Sequence, residues 1–166
     1  MLTKTDPKSL KDNVFSLIGD KWMLITAGTA EDCNTMTASW GGLGVLWGVP
    51  AATCYIRPQR HTKQFVDRED YFTLTFFGEE WRQQLTLCGT KSGRDVDKIK
   101  ECGFTVKTAA CGAPYFEEAE LVLVCRKHFA QDMDPANIPD AIKEKWYPQQ
   151  DYHTMYIGEI IEVLQK

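Results

Sequence analysis

Hydrophobic and polar positions alternate in several short runs along this chain. The clearest is YFTLTFF, residues 71–77, where Phe72, Leu74 and Phe76 fall on one side and Thr73 and Thr75 on the other. That period of two predicts a strand with one face turned to a core. ATCYIRP, residues 52–58, repeats the pattern, with Thr53 and Tyr55 opposite Cys54 and Ile56. WMLITAGT at 22–29 and MYIGEIIEV at 155–163 read as further strands, and TMTASW at 35–40 alternates more weakly before running into glycines. LVLVC at 121–125 is apolar on both faces, which predicts a central strand or one covered at an interface.

Helical patterns lie between these runs. SLKDNVF at 9–15 reads as a short amphipathic turn or helix, TKQFVDRE as a helix over 62–69, and GEEWRQQLTLC as one over 78–88. SGRDVDKIKECG at 92–103 offers Ser92 as an N-cap, a stripe of Val96, Ile99 and Cys102, and Gly103 as a stop. PANIPDAIKEKW, 135–146, is a late helix that Pro139 interrupts. About six strands with short helices inserted among them predict a mainly β fold, a closed or partly closed antiparallel barrel, in one domain over residues 1–166. The first three strands lack the strict strand–helix alternation of a doubly wound sheet. No G-x-G-x-x-G loop follows any strand, so a Rossmann dinucleotide site is not expected.

Charge narrows the chemistry. The chain has 166 residues and a net charge of −4, which argues against a nucleic-acid-binding surface. Six cysteines include no C-x-x-C pair, so a zinc site has little support, and no H-E-x-x-H or carboxylate cluster suggests another metal. The N-terminus is polar and charged and the longest apolar stretch contains Pro50. A soluble, cytoplasmic protein with reduced, core-packed thiols is expected.

Three segments carry candidate chemistry. In NTMTASWGGLG, residues 34–44, Thr37 and Ser39 would share a face at a strand end, Trp40 could wall off a flat ligand, and Gly41 and Gly42 permit close approach. The same stretch also reads as a glycine-rich bend with a core tryptophan, and the two readings are equally open. In IRPQRHTKQF, Arg57, Arg60, His61 and Lys63 concentrate positive charge between a strand and a helix start, with Thr62 as a first-turn hydroxyl. This combination favours a phosphate seat over a solvated basic connection. In TKSGRDVDK, Arg94 and Lys98 would share a helix face; alone, the segment reads as an exposed helix laced with ion pairs. His153, in DYHTMYIGEI, begins the last strand beside two tyrosines and could meet a substrate, although a structural role is commoner for such a residue.

Taken in order, NTMTASWGGLG, ATCYIRPQRHTKQF, YFTLTFF, CGTKSGRDVDK, PYFEEAELVLVCRK and DYHTMYIGEI resemble the flavin reductase-like family, its flavoredoxin branch in particular. The resemblance runs over residues 15–163. It implies a Greek-key, antiparallel split β-barrel binding FMN non-covalently, as a homodimer with cofactor sites near the subunit interface. Carried over residue by residue, it implies Asn34, Met36, Thr37, Ala38, Ser39 and Trp40 along the isoalloxazine and ribityl chain. Arg57, Gln59, Arg60 and Thr62 would surround the phosphate, with Ser92, Gly93 and Lys98 completing the pocket.

Two functions follow from the resemblance. One is an FMN-dependent oxidoreductase that takes hydride from NADH or NADPH and passes electrons to a flavin, a metal complex or a protein partner. The other is a flavoredoxin-type electron carrier without a substrate of its own. A barrel with no flavin, whose basic loops only pack or bind a partner, is the third alternative. The cofactor carries the redox chemistry in the first two, so neither needs a protein nucleophile.

Overall fold

The computed structural model describes residues 1–166. It begins with β1 (Thr3–Thr5), α1 (Val14–Gly19), β2 (Met23–Gly28), β3 (Cys33–Ala38), β4 (Gly41–Leu46) and β5 (Val49–Ile56). Next come α2 (Thr62–Arg68), β6 (Tyr71–Phe76), α3 (Arg82–Thr90), α4 (Lys98–Cys102), β7 (Val106–Thr108) and β8 (Pro114–Phe116). β9 (Leu121–Asp132), α5 (Asp140–Trp146) and β10 (Thr154–Gln165) complete the chain.

The main sheet runs in the order β3-β2-β6-β9-β10-β5-β4, with β1 added to β10, and β7 and β8 form a separate hairpin. Every pairing is antiparallel. After β2 and β3 the chain makes the β4–β5 hairpin, then returns through α2 to lay β6 beside β2, a Greek-key return. The sheet curls strongly. A Cβ on Gly41 of β4 would lie 3.0 Å from Cε of Met23 on β2, so the last strand of the order comes against the second. β3 and β4 nevertheless do not pair, and the barrel stays split.

The curl encloses one core. Met23, Ile25, Met36, Cys54, Ile56, Phe72, Leu74, Phe76, Leu123, Cys125 and Tyr156 belong to a single buried cluster. Burial of each large side chain in such a cluster contributes roughly 1.5–3 kcal/mol. On the other face Leu24, Val122 and Val124 pack with Leu85 and Cys88 of α3, Cys102 of α4, and Phe104 and Phe116. β9 therefore divides its side chains between two cores, which is why 121–125 is apolar on both faces. Gly158 meets a packing demand where β10 crosses β9 and β6. A Cβ there would sit 2.8 Å from Cβ of Cys125 and 2.9 Å from the Phe72 ring.

Strands expected at 22–29, 71–77, 121–125 and 155–163 are present, with β9 and β10 longer than their apolar runs. The run at 35–40 is displaced: β3 ends at Ala38, Ser39 and Trp40 form a link, and Gly41–Leu46 is a strand of its own. The helix over 78–88 is split into a single turn at Glu79–Trp81 followed by α3. The late helix starts only at Asp140, just after Pro139.

The helix over 92–103 is corrected. It runs only from Lys98 to Cys102 and is capped by Asp97, whose carboxylate accepts from the Lys100 N–H. The Ser92 hydroxyl accepts from the Arg94 N–H in a preceding turn, so Arg94 and Lys98 do not share a helix face. Gly103 ends α4 as expected, at φ 70°. All six cysteines are free, four of them buried. No helix is long and apolar enough to cross a membrane.

Candidate functional site

β3 supplies the floor of the site and its hydrogen bonds hold the surrounding elements. Asn34 donates its side-chain N–H to the Thr62 hydroxyl at 2.8 Å, joining β3 to the first residue of α2. The Thr37 hydroxyl donates to the Leu85 carbonyl of α3. Gly89 permits this approach, since a Cβ there would stand 3.3 Å from Cβ of Thr37.

Beyond the end of β3 lies a cavity of about 180 Å³ lined by Met36, Thr37, Ala38, Ser39 and Trp40, with Tyr55, Arg57, Arg60 and His153 opposite. A second cavity, of about 160 Å³, is lined by Gln59, Arg60, His61, Thr62, Ser92 and Lys98, together with Thr90 and Lys91. Arg60 is common to both. Asn34 and Gly93 line a third, larger hollow of about 680 Å³, which also reaches His61 and Lys98. Gly93 is held against Asn34 so closely that any Cβ would overlap the Asn34 amide oxygen. The three segments therefore do not line one common cavity: Ser39 lies in the first and Thr62 and Lys98 in the second, the two spaces being joined through Arg60.

The cations divide into two kinds. Arg57 pairs with the Asp151 carboxylate at 2.9 Å, donates to the Trp146 carbonyl at 2.9 Å and lies over the Tyr147 ring. Gln59 donates to the same Asp151 carboxylate at 2.7 Å. These two residues anchor the connection between α5 and β10. Arg60 and Lys98 have no carboxylate partner. Arg60 donates to the Gly89 and Cys88 carbonyls at 2.8 and 3.3 Å, and Lys98 donates to Cys88 at 3.1 Å. Burial, reinforced by Arg60, lowers the Lys98 pKa to about 8, and burial lowers that of Arg60 as well. Two cations turned toward the last carbonyls of α3 therefore flank one cavity without a counter-charge.

His153 is 6% exposed, and its ring lies 5.3 Å from Trp40 and 6.4 Å from Tyr55. Its Nδ1 is 2.6 Å from the Tyr147 hydroxyl. Burial, with Arg57 nearby, lowers its pKa to about 4, so the imidazole is neutral at pH 7. Trp40 remains 40% exposed and meets Trp146 edge-on at 5.1 Å. Tyr55, Trp146, Tyr147 and Asp151 also belong to this constellation, and sequence reasoning did not find them. Tyr55 was read only as a strand position on the Thr53 face of β5, while Trp146 ends α5 and Tyr147 and Asp151 lie in the connection after it, where no periodicity marks them.

The antiparallel, mainly β fold with helices set between strands is that of solved flavin-binding proteins. An FMN-binding domain of a flavin reductases-like enzyme from Shewanella baltica matches at 17% identity, covering 99% of this chain and 77% of its own, with a TM-score of 0.71. A flavoredoxin from Methanosarcina acetivorans matches at 20% identity, covering 98% and 76%, with a TM-score of 0.70. An NADH:FAD oxidoreductase from Streptomyces globisporus, solved with NAD and FAD fragments, matches at 17%, covering 88% and 74%, with a TM-score of 0.66. No curated protein sequence matches the chain. The chain belongs to the flavin reductase like domain family, whose model matches residues 15–166.

Proposed function

We propose that the chain is an FMN-dependent oxidoreductase that accepts hydride from NADH or NADPH and passes electrons to a flavin, a metal complex or a protein acceptor. The observation that carries this reading is the pair of buried Lys98 and half-buried Arg60, unopposed by any carboxylate and lining a cavity that adjoins the Ser39–Trp40 wall. Two cations held close together with only backbone carbonyls as partners repel each other, and an anion seated there offsets that cost. The donor set suits a phosphate. Thr62 already accepts from Asn34 and keeps its own O–H to give, Ser92 likewise keeps its O–H, and Lys98 has two N–H groups left after Cys88. His61 lines the same cavity with a buried Nδ1 that has no partner in the chain.

FMN, when bound, supplies the hydride and electron-transfer chemistry. Arg60, Thr62, Ser92 and Lys98 would hold its phosphate, and Met36–Trp40 would line its ribityl chain and ring. Arg57 and Gln59 would act indirectly, by fixing the Asp151 loop beside the ring cavity. Polar groups at the end of β3 would stabilise charge that builds on the ring.

The proposed assembly is a homodimer built on the β4–β5 hairpin. From Cys33 through Ile56 the sequence carries no charged residue, β4 is an edge strand paired only with β5, and Val45 and Trp47 at the tip are 78% and 60% exposed. A neutral, apolar edge can meet its own copy without like-charge repulsion.

The deciding experiment is an absorption spectrum of purified protein followed by anaerobic titration with NADH and NADPH. A bound flavin spectrum that bleaches on titration is expected. A spectrum that resists both nucleotides favours the flavoredoxin-type carrier. Colourless protein that takes up no added FMN eliminates the flavin reading.

A further inference from the structure

The contact between Tyr147 and His153 makes a chemical choice that the flavin reading leaves open. The Tyr147 phenol is buried and has one proton to place. Two acceptors are within reach: Nδ1 of His153 at 2.6 Å and the thioether of Met133 at 4.0 Å. A thioether is a weak acceptor at that length, whereas an unprotonated imidazole nitrogen is a strong one. Were Nδ1 to carry the imidazole proton and donate it to the phenol, the phenol proton would be left with the sulfur alone. The arrangement that satisfies both groups puts the tyrosine proton on Nδ1 and the imidazole's own proton on Nε2.

We propose that Tyr147 is a positioning residue that locks His153 as its Nε2–H tautomer, presenting a neutral hydrogen-bond donor to the cavity walled by Ser39 and Trp40. The ligand that this donor selects is one carrying a carbonyl or carboxamide oxygen on a flat ring. This rests on the proposed function for the presence of such a ligand, and on the structure alone for the tautomer.

The surroundings favour that class. Trp40 and Tyr55 give His153 aromatic neighbours, Arg57 is satisfied by Asp151, and Tyr147 holds the other ring nitrogen. The charged or titratable groups around the ring are thus Arg57 and Asp151, which pair with each other, and the phenols of Tyr147 and Tyr55; Arg60, which lines the same cavity, donates to the Gly89 and Cys88 carbonyls. A neutral donor in this setting serves a neutral acceptor oxygen. It does not serve as a proton source, since an imidazole this hard to protonate is also neutral before any reaction begins. Both a nicotinamide carboxamide and a quinone or flavin carbonyl present the required oxygen.

The test has two parts. Long-range ¹H–¹⁵N NMR of the ring nitrogens at neutral pH reads the tautomer directly, with or without FMN. Wild-type protein is expected to show His153 protonated at Nε2, and Tyr147→Phe to shift it toward a tautomer mixture. An Nδ1–H tautomer in the wild type, or an unchanged one in Tyr147→Phe, overturns the proposal. The second part is steady-state kinetics of the FMN-loaded protein, with NADH varied in one arm and menadione in the other.

In the arm whose ligand meets His153, Tyr147→Phe should raise KM about five- to ten-fold, the ratio a single neutral hydrogen bond is worth, with kcat nearly unchanged. His153→Phe should do the same, and the double variant should be no worse than His153→Phe. His153→Gln, which keeps an N–H donor, should recover much of the loss. Unchanged KM in both arms defeats the ligand assignment, and additive losses in the double variant defeat the positioning role. FMN content measured in every variant separates these failures from a failure of the flavin reading, because the tautomer does not depend on the cofactor.

Discussion

Asn34 on β3 and Thr62 at the start of α2 are both buried and are joined by a 2.8 Å hydrogen bond. The Thr62 oxygen is its acceptor, so the bond shapes the cavity wall and leaves the Thr62 O–H free to donate. Thr62→Val keeps the shape but leaves the Asn34 amide unpaired. It should cost about 1–3 kcal/mol in chemical denaturation and weaken retention of a phosphate-bearing ligand. Thr62→Ser should approach wild type in both. Equal destabilisation by Val and Ser would show that packing, rather than the hydroxyl, holds this corner.

Lys98 and Arg94 make opposite predictions although they are four residues apart. Lys98 is buried and lacks a carboxylate partner, whereas the Arg94 guanidinium only reaches the Gln59 carbonyl at 3.1 Å, in an exposed setting. Lys98→Met should lower FMN affinity more than ten-fold, about the ratio a charge-assisted hydrogen bond is worth, and Arg94→Ala by less than about three-fold. Fluorescence titration checks both. Because Lys98 in the free protein loses its proton near pH 8, affinity should decline as pH rises above about 8, and Lys98→Met should flatten that part of the profile.

His153 gives a pH dependence of stability whose sign is fixed. Its folded pKa is about 4 and its unfolded value about 6.5, so between these the unfolded chain binds more protons. Its contribution to stability is therefore full above about pH 6.5 and is lost progressively as pH falls toward 4. The total is roughly 3 kcal/mol at most. Denaturant midpoints of wild type and His153→Gln should diverge in that window and run parallel at pH 7–8. Parallel curves throughout would mean that the ring protonates freely in the folded state.

The β4–β5 hairpin should govern assembly. Val45→Glu with Trp47→Glu puts like charges where two copies would meet. The double variant should give the monomer mass in light scattering, against twice that mass for wild type. Trp47 lies beyond the core, so circular dichroism should be unchanged. A wild-type monomer would remove the hairpin from any role in dimerisation.

Local alternation made much of the fold legible. β6 could be read because Phe72, Leu74 and Phe76 fall on one face whatever surrounds them, and α4 ends at Gly103 because a left-handed residue is needed there. Residues 92–97 misled, because Ser92 is a good cap by type but its hydroxyl serves an isolated turn. Asp97, next to the buried Lys98, makes the actual start. Clustered positive charge marked Arg57 and Arg60 equally, yet their roles diverge. The difference lies in Asp151, ninety-four positions beyond Arg57, and no local pattern announces a partner at that distance. Tyr147 was missed although its partner His153 stands only six positions on, because the connection between α5 and β10 has no period from which their contact can be read.

β9 has a wider consequence for how the molecule comes apart. Leu123 and Cys125 serve the barrel interior while Val122 and Val124 serve the helical layer, so neither layer can melt and leave the other intact. The strand acts as a shared spine that couples both hydrophobic compartments into one cooperative unit. Heating should therefore disassemble the barrel and its helical flank in the same event, reported alike by tryptophan emission and by backbone ellipticity.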